Sequence, residues 1–85
     1  MTAIGSTVDR IRGLVMDILP RTGMRAALGD SDVLAAAGID SMRLMMLISA
    51  LQQHFAITVE EEDLRDENFA SIDALARFVT AKGGA

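Results

Sequence analysis

The stretch Gly38-Ile39-Asp40-Ser41-Met42 stands between a long connecting segment and a run of apolar residues at helical spacing. That spacing predicts a helix over about residues 41–54 with one broad apolar face. The predicted face consists of Met42, Met45, Leu47, Ile48, Leu51 and Phe55. Ser41 is a favourable N-cap for such a helix, and Asp40 precedes the positive end of its dipole. The stretch therefore predicts a hydroxyl group held at the start of a helix.

The segment before this helix, residues 20–40, is long for a connection and begins with Pro20. Connections of this length are usually functional or contain a short element. Its run Asp32-Val-Leu-Ala-Ala-Ala-Gly38 predicts one helical turn, which Leu34 attaches to the core. Gly38 suits a tight turn or the conformation that ends a helix.

A first helix is predicted over about residues 7–19, because apolar residues recur there at helical spacing. Its apolar stripe consists of Val8, Ile11, Leu14, Val15, Ile18 and Leu19. Ser6 or Thr7 can cap this helix, Asp9 stands where the dipole favours a negative charge, and Pro20 ends it.

Three segments follow the helix that starts at Ser41. Residues 56–59 are expected to be an extended linker, since no second strand is available to pair with them. Residues 60–63 are acidic, and residues 66–69 predict a short third helix. Ser71 is the predicted cap of a last helix. The buried stripe of that helix is Ile72, Leu75, Ala76, Phe78 and Val79.

These elements predict an all-α fold, a small four-helix bundle with a long loop between helices one and two and a short third helix. The 85 residues suit a single domain over residues 1–85, with residues 1–6 and 82–85 expected to fray. A domain of this size has no room for a deep substrate cavity. It is better suited to presenting a group to other proteins.

The composition excludes several classes of protein. The chain has no cysteine, so it has neither disulfides nor a thiolate metal site, and we expect a cytoplasmic protein. It shows no secretory signal and no apolar run long enough to span a membrane. The net charge of −4 arises in residues 57–85, which carry seven acidic and three basic residues. Without a basic patch, nucleic-acid binding is disfavoured and basic protein partners are expected.

The side chains needed for catalysis are missing. His54 is the single histidine. It lies at the opposite end of the predicted helix from Ser41, about 20 Å away at 1.5 Å per residue, so no serine–histidine pair can form. No glycine-rich phosphate loop is present, and residues 60–63 lack the pattern of a calcium-binding loop. Two interpretations of Ser41 remain: a helix cap, or an exposed hydroxyl that another enzyme modifies.

The surroundings of Ser41 resemble the phosphopantetheine attachment region of the acyl and peptidyl carrier proteins. The pattern is a leucine, three residues, Gly-x-Asp-Ser-Leu/Met, and spaced apolar positions that end on a phenylalanine. This chain matches it with Leu34, Gly38-Ile-Asp40-Ser41-Met42, Leu47, Leu51 and Phe55. The last two helices of the family are matched by Leu64, Phe69, Ser71, Ile72 and Leu75.

This resemblance implies that a phosphopantetheinyl transferase moves the arm of coenzyme A onto Ser41. Asp40 is implied to help the transferase recognise the site and to lie near the incoming phosphate and magnesium. The thiol of the 4'-phosphopantetheine arm then holds an acyl or aminoacyl group as a thioester, and the chain itself catalyses nothing. The implied partners are an acyl- or aminoacyl-loading ligase or adenylation enzyme, and an acyltransferase, synthase or tailoring enzyme.

The exposed side of the second helix departs from the acidic character that it has in many fatty-acid carriers. The corresponding positions here are Met42, Arg43, Met46, Ser49, Gln52 and Gln53. Since Met45 and Ile48 are assigned to the buried side, Met42 and Met46 are expected to form an adaptable apolar docking site beside Ser41. Supplementary charge for partner binding is expected from Asp30, Asp32 and the acidic residues at 60–67, including Glu61 and Glu62.

The neutral helix and the short chain together suggest a free-standing, monomeric carrier from polyketide- or nonribosomal-peptide-type secondary metabolism. The alternative is a small acidic helical adaptor without a prosthetic group, in which Ser41 is only a cap and the acidic stretch binds a basic partner.

Overall fold

The computed structural model describes residues 3–19 and 28–84, and within these ranges the regular elements are helical. They are α1 (Ala3–Ile18), α2 (Leu34–Ala37), α3 (Ser41–Phe55), a 3₁₀ helix (Glu61–Asp63), α4 (Asp66–Phe69) and α5 (Ile72–Ala81). The predicted all-α fold is confirmed, including the helical turn before Gly38 and the short helix at 66–69. None of the described helices is long and apolar enough to cross a membrane.

The core lies where α1 packs against both α3 and α5. Each helix contributes fully buried aliphatic side chains: Ile11 and Val15 from α1, Leu47 and Leu51 from α3, and Ile72, Leu75 and Val79 from α5. Burying a side chain of this size stabilises the fold by about 1.5–3 kcal/mol. The short α4 joins the core through Phe69, whose ring centroid lies 5.3 Å from that of Phe78.

The predicted start of the first helix is wrong. α1 begins at Ala3, so Ser6 and Thr7 lie inside the helix, and Asp9 is beyond its first turn. Thr7 is buried, because it stands four residues before Ile11 on the same face of the helix. Residues 3–6 are therefore helical, whereas we expected a frayed tail. Pro20, the predicted stop, lies outside the described residues, and α1 ends at Ile18.

The last helix ends in an ordered turn, whereas the glycines at 83 and 84 led us to expect fraying. Gly83 has a φ of 83°, which favours glycine. The N–H of Gly83 donates to the carbonyl of Thr80, and the N–H of Gly84 donates to that of Val79, both at 3.0 Å. This hydrogen-bond pattern is the Schellman motif, which satisfies carbonyl groups that the helix end leaves free.

Lys82 joins this helix end to the acidic 3₁₀ segment. Its Nζ lies 2.6 Å from Oδ2 of Asp63 and 3.9 Å from Oε1 of Glu60. The same Asp63 oxygen accepts the backbone N–H of Glu60 at 2.9 Å. Two hydrogen bonds lower the pKa of Asp63 below 3.8. The larger effect comes from Lys82, and the smaller one comes from the backbone N–H of Glu60. The hydrogen bond to Asp63 raises the pKa of Lys82 above 10.5.

We predict that this ion pair stabilises the fold only while both groups are charged. Because the pKa of Asp63 is lowered in the folded protein, its contribution to the free energy of unfolding is fully present above pH 3.8. This contribution is lost as the pH falls through the folded-state pKa. Because the pKa of Lys82 is raised in the folded protein, its contribution to the free energy of unfolding is fully present below pH 10.5. This contribution is lost as the pH rises through the folded-state pKa. Asp63→Asn should therefore lower the urea midpoint at neutral pH, and its difference from wild type should shrink as the pH falls below 3.8.

Glu61→Gln is the matched control, because Glu61 is exposed and no ion pair to it is found within the described residues. An equal loss in the Glu61 and Asp63 variants, or a loss at Asp63 that does not change with pH, would contradict this account.

Candidate functional site

The turn that precedes α3 is fixed by two buried side chains. Leu34 at the start of α2 and Ile39 just after it are both buried, and the N–H of Ile39 donates to the Leu34 carbonyl at 3.0 Å. Gly38 between them has a φ of 115°, a left-handed conformation that a residue with a side chain adopts only with strain. The turn ends α2 and brings Asp40 and Ser41 to the protein surface, where both are exposed.

The N-cap of α3 is Asp40, so the prediction that Ser41 caps this helix is wrong by one residue. Asp40 has an extended backbone, and its Oδ1 accepts the N–H of Arg43 at 2.9 Å. Ser41 is already the first helical residue, where a side chain no longer has capping geometry. No hydrogen bond of the Ser41 side chain is found among the described residues. Ser41 is also exposed, so its hydroxyl is accessible from the protein surface.

The position of Ser41 also has an electrostatic consequence. It opens a helix of 15 residues, and the first N–H groups of a helix carry a partial positive charge. An anionic group bound to the Ser41 oxygen would lie close to this charge, which favours phosphates and other anions.

Three methionines of α3 are exposed on the side that faces away from the core: Met42 by 75%, Met45 by 61% and Met46 by 53%. We refer to them as the methionine face. The exposure expected for Met42 and Met46 is found. The assignment of Met45 to the buried side is wrong, and so is the inclusion of Met42 in the predicted apolar face of the helix. At 3.6 residues per turn, Met45 lies about 100° from the middle of the face that Leu44, Leu47, Ile48, Leu51 and Phe55 turn inward.

A groove of about 360 Å³ lies between α2, the first turns of α3 and α4. Its walls are mainly apolar, and Ile39 and Leu44 bring it close to the start of α3. Two of its lining residues, Val33 and Leu64, are more than half exposed. The side chains Arg65 and Asp66 also line it and place opposite charges on its wall.

Several predicted partner contacts are already engaged within the chain. Asp30 pairs with Arg12 of α1, and its backbone carbonyl accepts the N–H of Asp73 at 2.9 Å. Oδ2 of Asp32 accepts the N–H of Gly29 at 2.7 Å. These two carboxylates therefore hold residues 28–32, the described part of the connection before α2.

Most of the other residues predicted to contact partner proteins are exposed, but Gln52 is hydrogen-bonded within the chain. Ser49, Gln53, Glu61 and Glu62 are exposed. Oε1 of Gln52 instead accepts the N–H of Val59 at 2.8 Å, which fastens the linker after α3 to this helix. The expectation that residues 56–59 are extended is wrong at Ala56, which has a φ of 54° and a ψ of 42°.

Arg43 and His54 lie toward opposite ends of α3. The Nε of Arg43 donates to the Ile18 carbonyl at 2.9 Å, so its side chain points toward the end of α1. His54 is exposed in the last turn of α3. It is therefore separated from Ser41 by almost the whole helix, in accordance with the predicted absence of a serine–histidine pair.

Comparison with known proteins identifies the class of site. The family model described as "Phosphopantetheine attachment site" matches residues 9–79. The match begins in α1 and ends in α5, so it contains all of α2, α3 and α4. The chain is also similar to "Aminoacyl carrier protein 1" of Bradyrhizobium diazoefficiens, with 30% identity over 71 residues. The alignment covers 84% of this chain and 79% of the relative.

We predict that capping and reactivity can be separated by mutating neighbouring residues. Asp40→Ala should lower the free energy of unfolding by about 1 kcal/mol, because the N–H of Arg43 loses its acceptor. Asp40→Asn should stay close to wild type, since Asn caps as well as Asp. Urea unfolding followed by circular dichroism measures both changes. Ser41→Ala is the control: it should leave stability almost unchanged, and a loss as large as that of Asp40→Ala would identify Ser41 as the cap.

Proposed function

Because the chain belongs to the family of proteins with a phosphopantetheine attachment site, we propose that Ser41 receives this group and that the chain carries an aminoacyl or related acyl unit. A carrier of this family bears covalently attached 4'-phosphopantetheine and is not itself an enzyme. When bound, the group supplies a terminal thiol that holds the acyl unit as a thioester. The chain contributes the attachment site and the surfaces that partner enzymes contact.

The exposure of the Ser41 hydroxyl is the observation that supports this proposal most strongly. The matched region also contains Ser31, Ser49 and Ser71. Ser71 is buried, and its Oγ accepts the N–H of Ala74 at 3.1 Å as the cap of α5. Ser49 is exposed but lies in the middle of α3, and Ser31 lies in a turn. Ser41 alone among them combines an exposed hydroxyl, the first position of a long helix and an adjacent carboxylate.

The residues at this position fit a phosphodiester. The reaction forms a bond between Ser41 Oγ and a phosphorus atom of coenzyme A and breaks that phosphorus atom's pyrophosphate P–O bond. The nucleotide bisphosphate leaves, and the hydroxyl proton passes to a base of the transferase. The negative charge that stays on Ser41 lies at the positive end of α3. Asp40 stands beside it, where its second carboxylate oxygen can face the transferase and the magnesium that accompanies coenzyme A.

An aminoacyl unit is the cargo that we favour, because the matched relative is named an aminoacyl carrier protein. The expected partners are a phosphopantetheinyl transferase, an aminoacyl- or acyl-loading ligase or adenylation enzyme, and an acyltransferase, synthase or tailoring enzyme that takes the unit. A role in polyketide- or nonribosomal-peptide-type secondary metabolism is supported by the uncharged methionine face, which differs from an acidic docking helix. The family membership also disfavours an adaptor that works without a prosthetic group.

We expect the chain to gain the mass of one phosphopantetheine when it is incubated with coenzyme A, magnesium and a promiscuous transferase. Intact-protein mass spectrometry measures the gain, and Ser41→Ala should abolish it because the accepting oxygen is gone. Ser49→Ala is the matched control and should be modified like wild type. An unmodified wild-type chain would favour the adaptor, and a modified Ser41→Ala variant would place the attachment site elsewhere.

We also propose that the methionine face, together with Ser49, contacts partner enzymes. Met46→Glu should then lower kcat/KM for modification by roughly tenfold, because a carboxylate buried in an apolar contact costs 1.4 kcal/mol or more. Thr80→Glu is the control, since it adds the same charge at an exposed position of α5. Rates measured at several transferase concentrations test this. Equal rates for wild type and Met46→Glu would refute the contact.

A further inference from the structure

We propose that Arg43 is a positioning residue that holds the Asp40–Ser41 turn against the C-terminal end of α1, so that Ser41 meets the transferase in one orientation. This inference rests on the proposed function of Ser41. It differs from the role expected from the sequence, in which Arg43 contacts partner enzymes directly.

The first support comes from the end of α1. The last carbonyl groups of a helix have no partner within it and carry a partial negative charge. α1 has no basic residue in its last turn. Arg43 reaches across from α3, and its Nε donates to the carbonyl of Ile18, the last residue of α1, at 2.9 Å. The guanidinium therefore supplies the cation and the donor that α1 lacks in its own last turn.

The second support is that Arg43 is joined to Asp40 by two routes. Its backbone N–H donates to Asp40 Oδ1 at 2.9 Å, and its Nη1 lies 3.7 Å from Oδ2. Ser41 lies between these two residues in the chain. The guanidinium thus connects the cap of α3 with the end of α1. An ammonium group lacks the planar arrangement of donors that faces both partners at once, so lysine cannot reproduce this geometry.

The third support is the burial of the side chain. The Arg43 side chain is 37% exposed, compared with 75% for the whole residue at neighbouring Met42. Arg43 also lies about 100° around α3 from Met42, and its Nε reaches the end of α1. Its charge is therefore directed toward the protein and away from the methionine face.

A second arginine, which joins the same two helices at the C-terminal end of α3, provides a matched control. The Nη2 of Arg10 in α1 donates to the His54 carbonyl at 3.4 Å. Its guanidinium carbon lies 4.4 Å from the centre of the Phe55 ring. Arg10 of α1 therefore contacts the C-terminal end of α3. In the same way, Arg43 of α3 contacts the C-terminal end of α1. Loss of Arg10 should loosen the same two helices far from Ser41.

The experiment compares Arg43→Ala, Arg43→Lys and Arg10→Ala with wild type in two measurements. In the isolated protein, amide hydrogen exchange of residues 43 and 44 reports the first turn of α3. With coenzyme A and the transferase, initial rates give kcat and KM separately. Both Arg43 variants should speed exchange at these amides and lower kcat by about five- to tenfold, because Ser41 is no longer held in a reactive orientation. Arg10→Ala should leave these amides and kcat unchanged.

Two outcomes would overturn the proposal. If Arg43→Lys matches wild type while Arg43→Ala raises only KM, Arg43 is a charge that the transferase contacts. If neither Arg43 variant changes exchange at residues 43 and 44, the side chain does not hold the turn. Should Arg43→Ala fail to fold, Arg43→Lys decides by the same two measurements. If the proposed function itself is wrong, the wild-type protein will not gain the mass of a phosphopantetheine. This result is distinguishable from a failure of the proposal about Arg43.

Discussion

The left-handed turn at Gly38 is the constraint on which the site depends. It ends α2 and lets the buried side chains of Leu34 and Ile39 face the core on either side of one tight bend. The chain leaves this bend in an extended conformation at Asp40, and that conformation allows the Asp40 carboxylate to cap α3. A cap supplied by Asp40 leaves the next residue, Ser41, inside the helix with its hydroxyl exposed. The exposure of Ser41, our proposed attachment site, thus depends on packing and backbone geometry several residues earlier.

Side chains join α1 and α3 near both ends of α3. Arg43 of α3 reaches the C-terminal carbonyl of α1, and Arg10 of α1 reaches a carbonyl in the last turn of α3. Each cation lies where a helix leaves carbonyl groups unpaired and slightly negative. In a domain whose core is small, such contacts at the helix ends help to determine how the packed helices are aligned. Ser41, the proposed attachment site, then lies next to a helix contact that is fixed by side chains.

Much of the fold and of the candidate site could be predicted from the sequence, because the patterns that indicate them involve residues close together in the chain. Helical spacing identified α3 and α5 and their buried stripes, and the segment around Ser41 indicated the family. The error at the cap arose because Asp and Ser cap almost equally well, so local preference could not choose between Asp40 and Ser41. Met45 could have been placed correctly by its angle around the helix, and Thr7 by its spacing from Ile11. The bonds of Arg43 to Ile18 and of Lys82 to Asp63 join residues far apart in the chain, and no sequence period indicates them.

Because Asp40 caps α3 and leaves Ser41 exposed, we propose that Ser41 is the serine that is modified. Locating the added group by tandem mass spectrometry tests this most directly. Trypsin cleaves after Arg25 and Arg43, so residues 26–43 form one peptide that contains Ser31 and Ser41, while Ser49 falls in the next peptide. We predict that fragment ions place the whole modification on Ser41. Modification on Ser31 or Ser49 would contradict it.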